Sequence, residues 1–369
     1  MNTPQRWMSL DVFRGVTIVL MILVNSPGNA HPYPWLDHSA WNGCTLADLV
    51  FPFFVFIIGV SLVFALSNAL ARGHSRQKIM IKVFRRTLIL FFIGILLNAI
   101  PDHLDFSTLR VFGVLQRLAI CYFFAALLFL TTSVRIQIIV LISLLVGYWL
   151  LLTRINVPGF GINNLSPAGN LPAYLDRQIF SAAHLYGKVF DPEGVLSTLP
   201  AIASTLLGSL TGIWLLTTTT HYQKLRGMLI VGPLALLAGW TWGLWFPINK
   251  ALWSSSFVLV TSGLALLLLS ACVWLIEIKD WKYWAPPFEI FGVNAIAAYV
   301  LHIALLRVQA NIHLAKLDGT MENLRIYITE HSFGWADVHS ASLMYSVCYV
   351  LLLLVIFAVL WRKRILIKI

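Results

Sequence analysis

Residues 45–70 read TLADLVFPFFVFIIGVSLVFALSNAL, with one charged side chain, Asp48, in a run longer than the roughly 20 residues needed to cross about 30 Å of hydrocarbon. Similar runs lie on both sides of it. Apolar stretches near 9–25, 83–100, 109–130, 134–153, 196–216, 227–246, 254–276, 287–308 and 341–361 bring the expected spans to ten. They are continuous rather than alternating, so helices are expected and barrel strands are not. The composition points the same way: of 369 residues, 59% are hydrophobic and 11% charged, against roughly 25% charged in an ordinary soluble domain. A disordered tail, a collagen and a coiled coil are excluded. The expected fold class is an all-α polytopic membrane protein, a single transmembrane domain over 1–369.

The first apolar run carries Asp11 and Arg14 and meets Asn25-Ser26-Pro27 where a secretory leader would have a small-residue cleavage site, so it reads as a retained span. The net charge of +11 is distributed as short clusters at the ends of apolar segments, which is a signature of membrane orientation and not of a nucleic-acid partner. With the N-terminus cytoplasmic, sixteen Lys and Arg fall on the inner side, among them Arg6, Arg135, Arg362 and Lys368. The outer loops hold six: Arg154, Arg177, Lys188, Lys250, Lys316 and Arg325. Both termini are therefore expected in the cytoplasm.

Three outer connections, 26–44, 154–195 and 309–340, are too long to be simple links, and their Trp, Tyr, Phe and Pro content suits an ordered cap over a bound molecule. His31, His38, His103, His184, His313, His331 and His339 all fall in outer loops, and His302 sits in the outer half of span nine. The histidines form no HExxH, and the four cysteines no CxxC, so neither a metal site nor a disulfide framework is expected. Nucleotide-binding and soluble-hydrolase motifs are missing as well.

The loop NSPGNAHPYPWLDHSAWNGCTLADLVFP, residues 25–52, concentrates the candidates. Asn25 and Asp48 are polar at the ends of spans, where they need partners or water, and Asp37, His38, Trp41 and Asn42 lie between them. An imidazole titrates near neutrality and suits proton removal or acyl acceptance, which makes His38 the first candidate for catalysis. The structural alternative is that it caps helix two or ties down the loop. The stretch from Arg72 to Arg86, which includes Arg85, has six basic residues and no acid; a phosphate-rich ligand, anionic lipid and the positive-inside rule all account for it. Arg117 lies inside span four beside Gln116 and needs a polar cavity or a partner. Asp11 and Arg14, three apart on one helix, are placed to neutralise each other. Asn294 and His302 are eight apart and share a helical face, either lining the cavity of His38 or joining helices. In DPEG at 191–194, Asp191 reads as the N-cap and Pro192 as the first position of span six, with a binding role for Glu193 secondary.

Five blocks carry a likeness to a known family: SLDVFRGVTIVLMILVN (9–25), HSAWNGCTLADLVFPFFVFIIG (38–59), DPEGVLSTLPAI (191–202), NKALWSSSFVLVTSG (249–263) and GVNAIAAYVLH (292–302). The chain resembles the heparan-alpha-glucosaminide N-acetyltransferase family of transmembrane acyltransferases, including its bacterial NagX-type members. That resemblance implies a bacterial inner-membrane enzyme, a homodimer, that draws acetyl-CoA as co-substrate from the cytoplasm and acetylates an amino sugar on the opposite face. It places the catalytic histidine of the H-x-x-W-N-G block at His38 and the asparagine ending the first span at Asn25, with a somewhat longer spacing than in the lysosomal members.

Because the chain starts at the first catalytic span, the expected acceptor is a small sugar or an envelope glycan and not heparan sulfate. On this reading Arg14, Arg85, Arg86 and Arg117 serve the coenzyme, while Asp48, Trp41, Asn42, Asn294 and His302 serve the acceptor. The rivals are a permease for N-acetylglucosamine or a similar sugar, and an O-acyltransferase acting on a polysaccharide.

Overall fold

The computed structural model describes residues 7–100, 105–315 and 321–367; Arg6, His103, Lys316 and Lys368 lie outside them. Long helices dominate: α1 (Met8–Asn25), α2 (Leu46–Ala71), α3 (Arg76–Ala99), α4 (Val114–Thr131) and α5 (Val134–Arg154), then α7 (Thr198–Leu215), α8 (His221–Trp242), α9 (Ser255–Val273) and α13 (Val338–Arg362). Between them stand the shorter α6 (Leu171–Ile179), α10 (Pro286–Val293), α11 (Ala295–Asn311) and α12 (Leu324–Phe333), and a hairpin of β1 (His313–Ala315) with β2 (Met321–Asn323). Among the described residues eight helices are long and apolar enough to cross a membrane, and the α10–α11 pair makes a ninth. The tenth expected span is α3, whose first half carries Lys78, Lys82, Arg85 and Arg86 and is too charged to meet that criterion. The chain is an all-α, multi-pass membrane protein.

The centre of the bundle is α2 and α7, each with 72% of its apolar window buried, whereas α5, α8 and α13 bury between 22% and 28% of theirs and face outward. Close approach at that centre depends on small residues. A Cβ on Gly59 of α2 would stand 2.1 Å from the Thr205 carbonyl, and one on Gly208 of α7 would stand 1.9 Å from that of Phe56. Gly15 and Gly292 play the same part where α1 crosses α10. Val12, Phe13 and Ile18 of α1 are completely buried, so the first run is a working member of the bundle.

Span nine is broken. α10 and α11 meet at 84° around Asn294, whose backbone (φ −117°, ψ 34°) is not helical. The eight-residue spacing from Asn294 to His302 therefore does not define one continuous helical face. Span six also starts later than the DPEG signal suggests: Ser197 precedes its first residue, Thr198. Asp191 is no N-cap, because its carboxylate is taken by Arg110.

The three long connections are ordered where described. They hold a 3₁₀ turn at Pro34–Leu36, then α6 and a second 3₁₀ turn at Ala182–His184, then the hairpin with α12. All emerge at the end of the bundle opposite the basic loops.

Candidate active site

At the capped end, α2 begins with a reciprocal cap in which Thr45 and Asp48 bond each other's backbone N–H groups. One oxygen of Asp48, Oδ2, accepts the N–H of Ser39 and of Thr45, both at 3.0 Å, and the Thr45 hydroxyl at 3.1 Å. The other, Oδ1, lies 2.8 Å from His38 Nδ1. A carboxylate only accepts, so Nδ1 carries the proton and the lone pair of Nε2 is left for chemistry. Asp48 is 1% exposed while the His38 side chain is 47% exposed, so a sealed base holds a reachable imidazole. Lys250, from the α8–α9 connection, places Nζ 3.1 Å from Nδ1, 3.4 Å from Nε2 and 3.5 Å from Asp48 Oδ1. Burial holds this ammonium below its ordinary range, opposed by Asp48 and Glu193.

These side chains line a cleft of about 250 Å³ whose walls include Trp41, Tyr186, Phe190, Arg110 and Glu193. Its loops are interlocked by hydrogen bonds. Trp41 Nε1 donates to the Leu165 carbonyl at 2.9 Å, and its ring meets Phe190 edge-on at 5.1 Å. Asn249 donates to the Trp41 carbonyl at 2.8 Å and to Asn42 Oδ1 at 3.1 Å. Arg110 binds Asp191 with two bonds, 2.8 and 2.6 Å, contacts Glu193, and lies 4.8 Å from the Tyr186 ring centre. Burial alone would raise Asp191, but these bonds outweigh it and hold the carboxyl below its usual range. Below them Asp176 accepts the Val195 N–H at 3.0 Å, and burial pushes its pKa up to about 6. Burial with the Asp48 charge takes the Cys44 thiol up to about 12, an inert thiol.

A second cavity, of about 370 Å³, opens in the basic half of the bundle among α1, α2, α3, α4 and the α10–α11 bend. Arg14, Ser61, Arg86, Tyr122, Asn294 and Ile367 are among its lining residues. Arg86 stands 5.1 Å from the Tyr122 ring centre, and its buried Nε has no partner. Arg14 is committed to Asp11 and, at 3.1 Å, to the Gly292 carbonyl, so the neutralising reading of that pair holds.

The two cavities share α2: Asp48 lines the first and Phe54 the second, six residues or about 9 Å apart along the helix. Between them Phe51 packs edge-on against the buried Trp253 at 5.2 Å, and Arg117 lies 5.0 Å over the same indole. Arg117 is fully buried, donates to Ser197 Oγ and, at 3.3 Å, to the Gly194 carbonyl, and keeps Nε and Nη1 unpartnered.

The sequence candidates therefore divide. His38, Asp48 and Trp41 meet in the cleft; Arg14, Arg86 and Asn294 meet in the second cavity. Arg117 is placed between the two, and Arg85 is exposed on α3. Asn294 does not line the cleft of His38: its amide donates to the Ile365 carbonyl at 3.2 Å and accepts the Ile367 N–H at 2.9 Å. His302 does not line it either. It is 0% exposed, T-packed on Tyr349 at 5.6 Å, with both ring nitrogens unpartnered. Asn42 turns to Asn249, and Asn25, half-buried at the end of α1, lines neither cavity.

Sequence reasoning missed Lys250 and Arg110. Lys250 is one of six outer cations and sits inside a block of family likeness, while Arg110 is absorbed into an apolar run. The signal for Arg110 was the unpaired acidity of Asp191 and Glu193.

The family model described as "Heparan-alpha-glucosaminide N-acetyltransferase, catalytic" matches residues 6–246. The chain belongs to this family. The human heparan-alpha-glucosaminide N-acetyltransferase is 32% identical over 361 residues, covering 81% of this chain and 53% of its own length. The mouse protein of the same name is 31% identical over 362 residues, 82% and 54% respectively. The chain thus spans about half the length of these heparan-alpha-glucosaminide N-acetyltransferase relatives. His38, Asp48 and Arg110 lie within the residues matched to the catalytic model of the family, and Lys250 falls four positions beyond them.

Proposed function

We propose that this chain is a transmembrane acetyltransferase that takes an acetyl group from acetyl-CoA at the basic cavity and delivers it to the amine of an amino sugar, or an envelope glycan bearing one, in the His38 cleft. The observation that carries the reading is the His38–Asp48 pair at 2.8 Å: an accessible imidazole with its free nitrogen fixed by a buried carboxylate, on the helix that also lines the basic cavity. His38 Nε2 then either removes a proton from the attacking amine or accepts the acetyl group itself. Asp48 holds the tautomer and balances positive charge on the ring. The flat faces of Trp41, Tyr186 and Phe190 suit the apolar face of a pyranose, and Glu193 suits its polar edge.

At the other end, Arg86 has a free donor for a phosphate, and Arg14 and Asn294 frame the mouth. Arg85 and the neighbouring cations of α3 draw the nucleotide in, and the unpartnered donors of Arg117, which packs over Trp253, are available to the pantetheine amides. Asn25 lines neither cavity, so this reading does not carry it as the oxyanion donor. His302 and Asn42 act on the acceptor only indirectly, through the packing of α11 and of the loop. Residues 1–369 work as one acyltransferase domain in this reading, and the setting we propose is a bacterial inner membrane, with both termini cytoplasmic, the acceptor periplasmic, lipid around α5, α8 and α13, and a homodimeric assembly. No step calls for a metal.

The direct test is turnover by the purified protein: acetyl-CoA with glucosamine releases free CoA, and His38→Ala cuts release by about 10³-fold. Labelled-sugar uptake into vesicles that needs no acetyl-CoA and survives His38→Ala overturns the reading in favour of a permease. A panel of amine and hydroxyl acceptors separates N- from O-transfer. Burst kinetics with trapping of labelled acetyl on the protein separates an acetyl-imidazole from direct transfer.

A further inference from the structure

Lys250 presents a primary amine at the place where the reading above, on which this inference rests, puts an acetyl group awaiting a primary amine. Its Nζ is 3.4 Å from His38 Nε2 and 3.1 Å from Nδ1, so an acetyl group carried on or beside that ring nitrogen lies within reach of the amine. Among the described residues it is the one lysine lining the cleft. A side chain held so close differs from the acceptor chiefly in its protonation.

We propose that Lys250 is a self-acetylation site, modified by the protein's own acetyl donor when the acceptor is absent. In the step, the Nζ lone pair forms a bond to the acetyl carbon. The bond from that carbon to its leaving group, the His38 ring nitrogen or, in direct transfer, the CoA sulfur, breaks with its electron pair. The proton lost by the amine passes to the imidazole. The product is a neutral, stable amide. It removes the cation that stands 3.5 Å from Asp48, so the modified cleft has lost both its charge balance and part of its volume.

Protonation is the safeguard. Burial holds the pKa of this amine below its ordinary range, while Asp48 from α2 and Glu193 from the connection before α7 favour the ammonium and oppose that fall. His38 and Cys44 on the preceding loop, and Arg110 and Tyr186 across the cleft, complete the titratable groups facing this amine. An ammonium has no lone pair, so modification accelerates as pH rises through the titration of Lys250. A bound acceptor competes for the same acetyl group and protects.

The experiment incubates purified full-length protein with acetyl-CoA alone, across pH 6 to pH 9.5, and maps acetylated peptides by mass spectrometry while turnover with glucosamine is followed on the same samples. The expected result is acetylation of Lys250 in step with loss of turnover. It should run about tenfold faster per pH unit below the Lys250 titration, and be suppressed by glucosamine and absent in His38→Ala. Lys250→Arg should show no progressive inactivation from whatever activity it starts with.

Two outcomes overturn the inference and leave the acetyltransferase reading standing: sustained turnover with Lys250 unmodified at every pH, or acetylation of Lys250 at equal rate in His38→Ala, which marks background chemistry of acetyl-CoA. Failure of the underlying reading has a different signature, no CoA release with any acceptor.

Discussion

The cleft at the capped end and the cavity at the basic end are built in opposite ways. The cleft is made by loops whose conformation is dictated through hydrogen bonds: Asp48 gathers Ser39, Thr45 and His38, Asn249 clasps residues 41 and 42, and Arg110 clasps Asp191. The cavity is a gap between helices, lined by residues from six of them and bordered by the bend at Asn294. Orientation is fixed in the first and volume is left open in the second. That division suits a reaction centre at one end and a berth for a long, flexible acyl carrier at the other. Changes in the cleft are thus expected to act on rate or fold, and changes in the cavity on the affinity for the acyl donor.

The largest expected effect is at His38. His38→Ala removes the one imidazole that lines the cleft among the described residues and lowers turnover by about 10³-fold, within the range for positioned acid–base groups, while the loop, held by Asp48 through Ser39 and Thr45, keeps its fold. Asp48→Asn should cost somewhat less in rate. Its amide still fills the space but favours the wrong tautomer and weakens the cap of α2. Steady-state CoA release with a thermal melt on each variant separates the two: His38→Ala melts like the parent, Asp48→Asn melts lower. Equal turnover in parent and His38→Ala would dissolve the contrast between the two sites.

Next comes Arg110. Its removal leaves Asp191 buried and unpaired, a loss of about 3–5 kcal/mol for fully sealed pairs, taken at the low end because the arginine side chain is 19% exposed. Arg110→Met should lower the melting temperature by several degrees and loosen the loop carrying Phe190 and Glu193. Unchanged melting would mean that the arginine belongs to ligand binding and not to the architecture of the cleft.

Much of this was legible in the chain and some was not, for identifiable reasons. Helical spans are written in continuous apolar runs, which is why all ten stretches contain long or paired helices. His38, Trp41 and Asp48 lie within eleven consecutive residues, and local hydrogen bonding brought them together as their crowding suggested. Arg110, Asp191 and Lys250 meet only through tertiary packing. Asp191-Pro192 looks like a helix start because the same residue types that cap helices also accept arginine, and only the partner decides. The break at Asn294 carries no proline at the bend itself and no glycine beyond Gly292, so periodicity ran through it unmarked.

Asp176 offers a pH test of the cleft's foundation. Its folded value of about 6 stands above the ordinary 3.8, so between those values the folded chain keeps a proton that the unfolded chain has released. Stability therefore falls as pH rises from about 4 to about 6, by about 2–3 kcal/mol, and stays at the lower level above that. Asp176→Asn should flatten this part of the profile in melts taken from pH 4 to pH 7. An unchanged slope would assign the pH dependence to other groups.

The smallest effect is expected in the basic cavity, and it differs in kind. Arg86 lies against Tyr122 with its Nε unpartnered, so Arg86→Ala deletes a donor that the fold does not use. One charge-assisted bond to a phosphate is worth about 1.5–3 kcal/mol, discounted here because neighbouring cations share the load. The expected change is a rise of about tenfold in the KM for acetyl-CoA, with kcat and the KM for the amino sugar close to the parent. Arg85→Ala, on the exposed face of α3, should raise the same KM less and more steeply at low ionic strength, since an exposed charge steers and is screened by salt. A fall in kcat without a rise in KM for Arg86→Ala would place the reacting carbonyl in this cavity and not at His38, and the division of labour between the two ends of α2 would have to be abandoned.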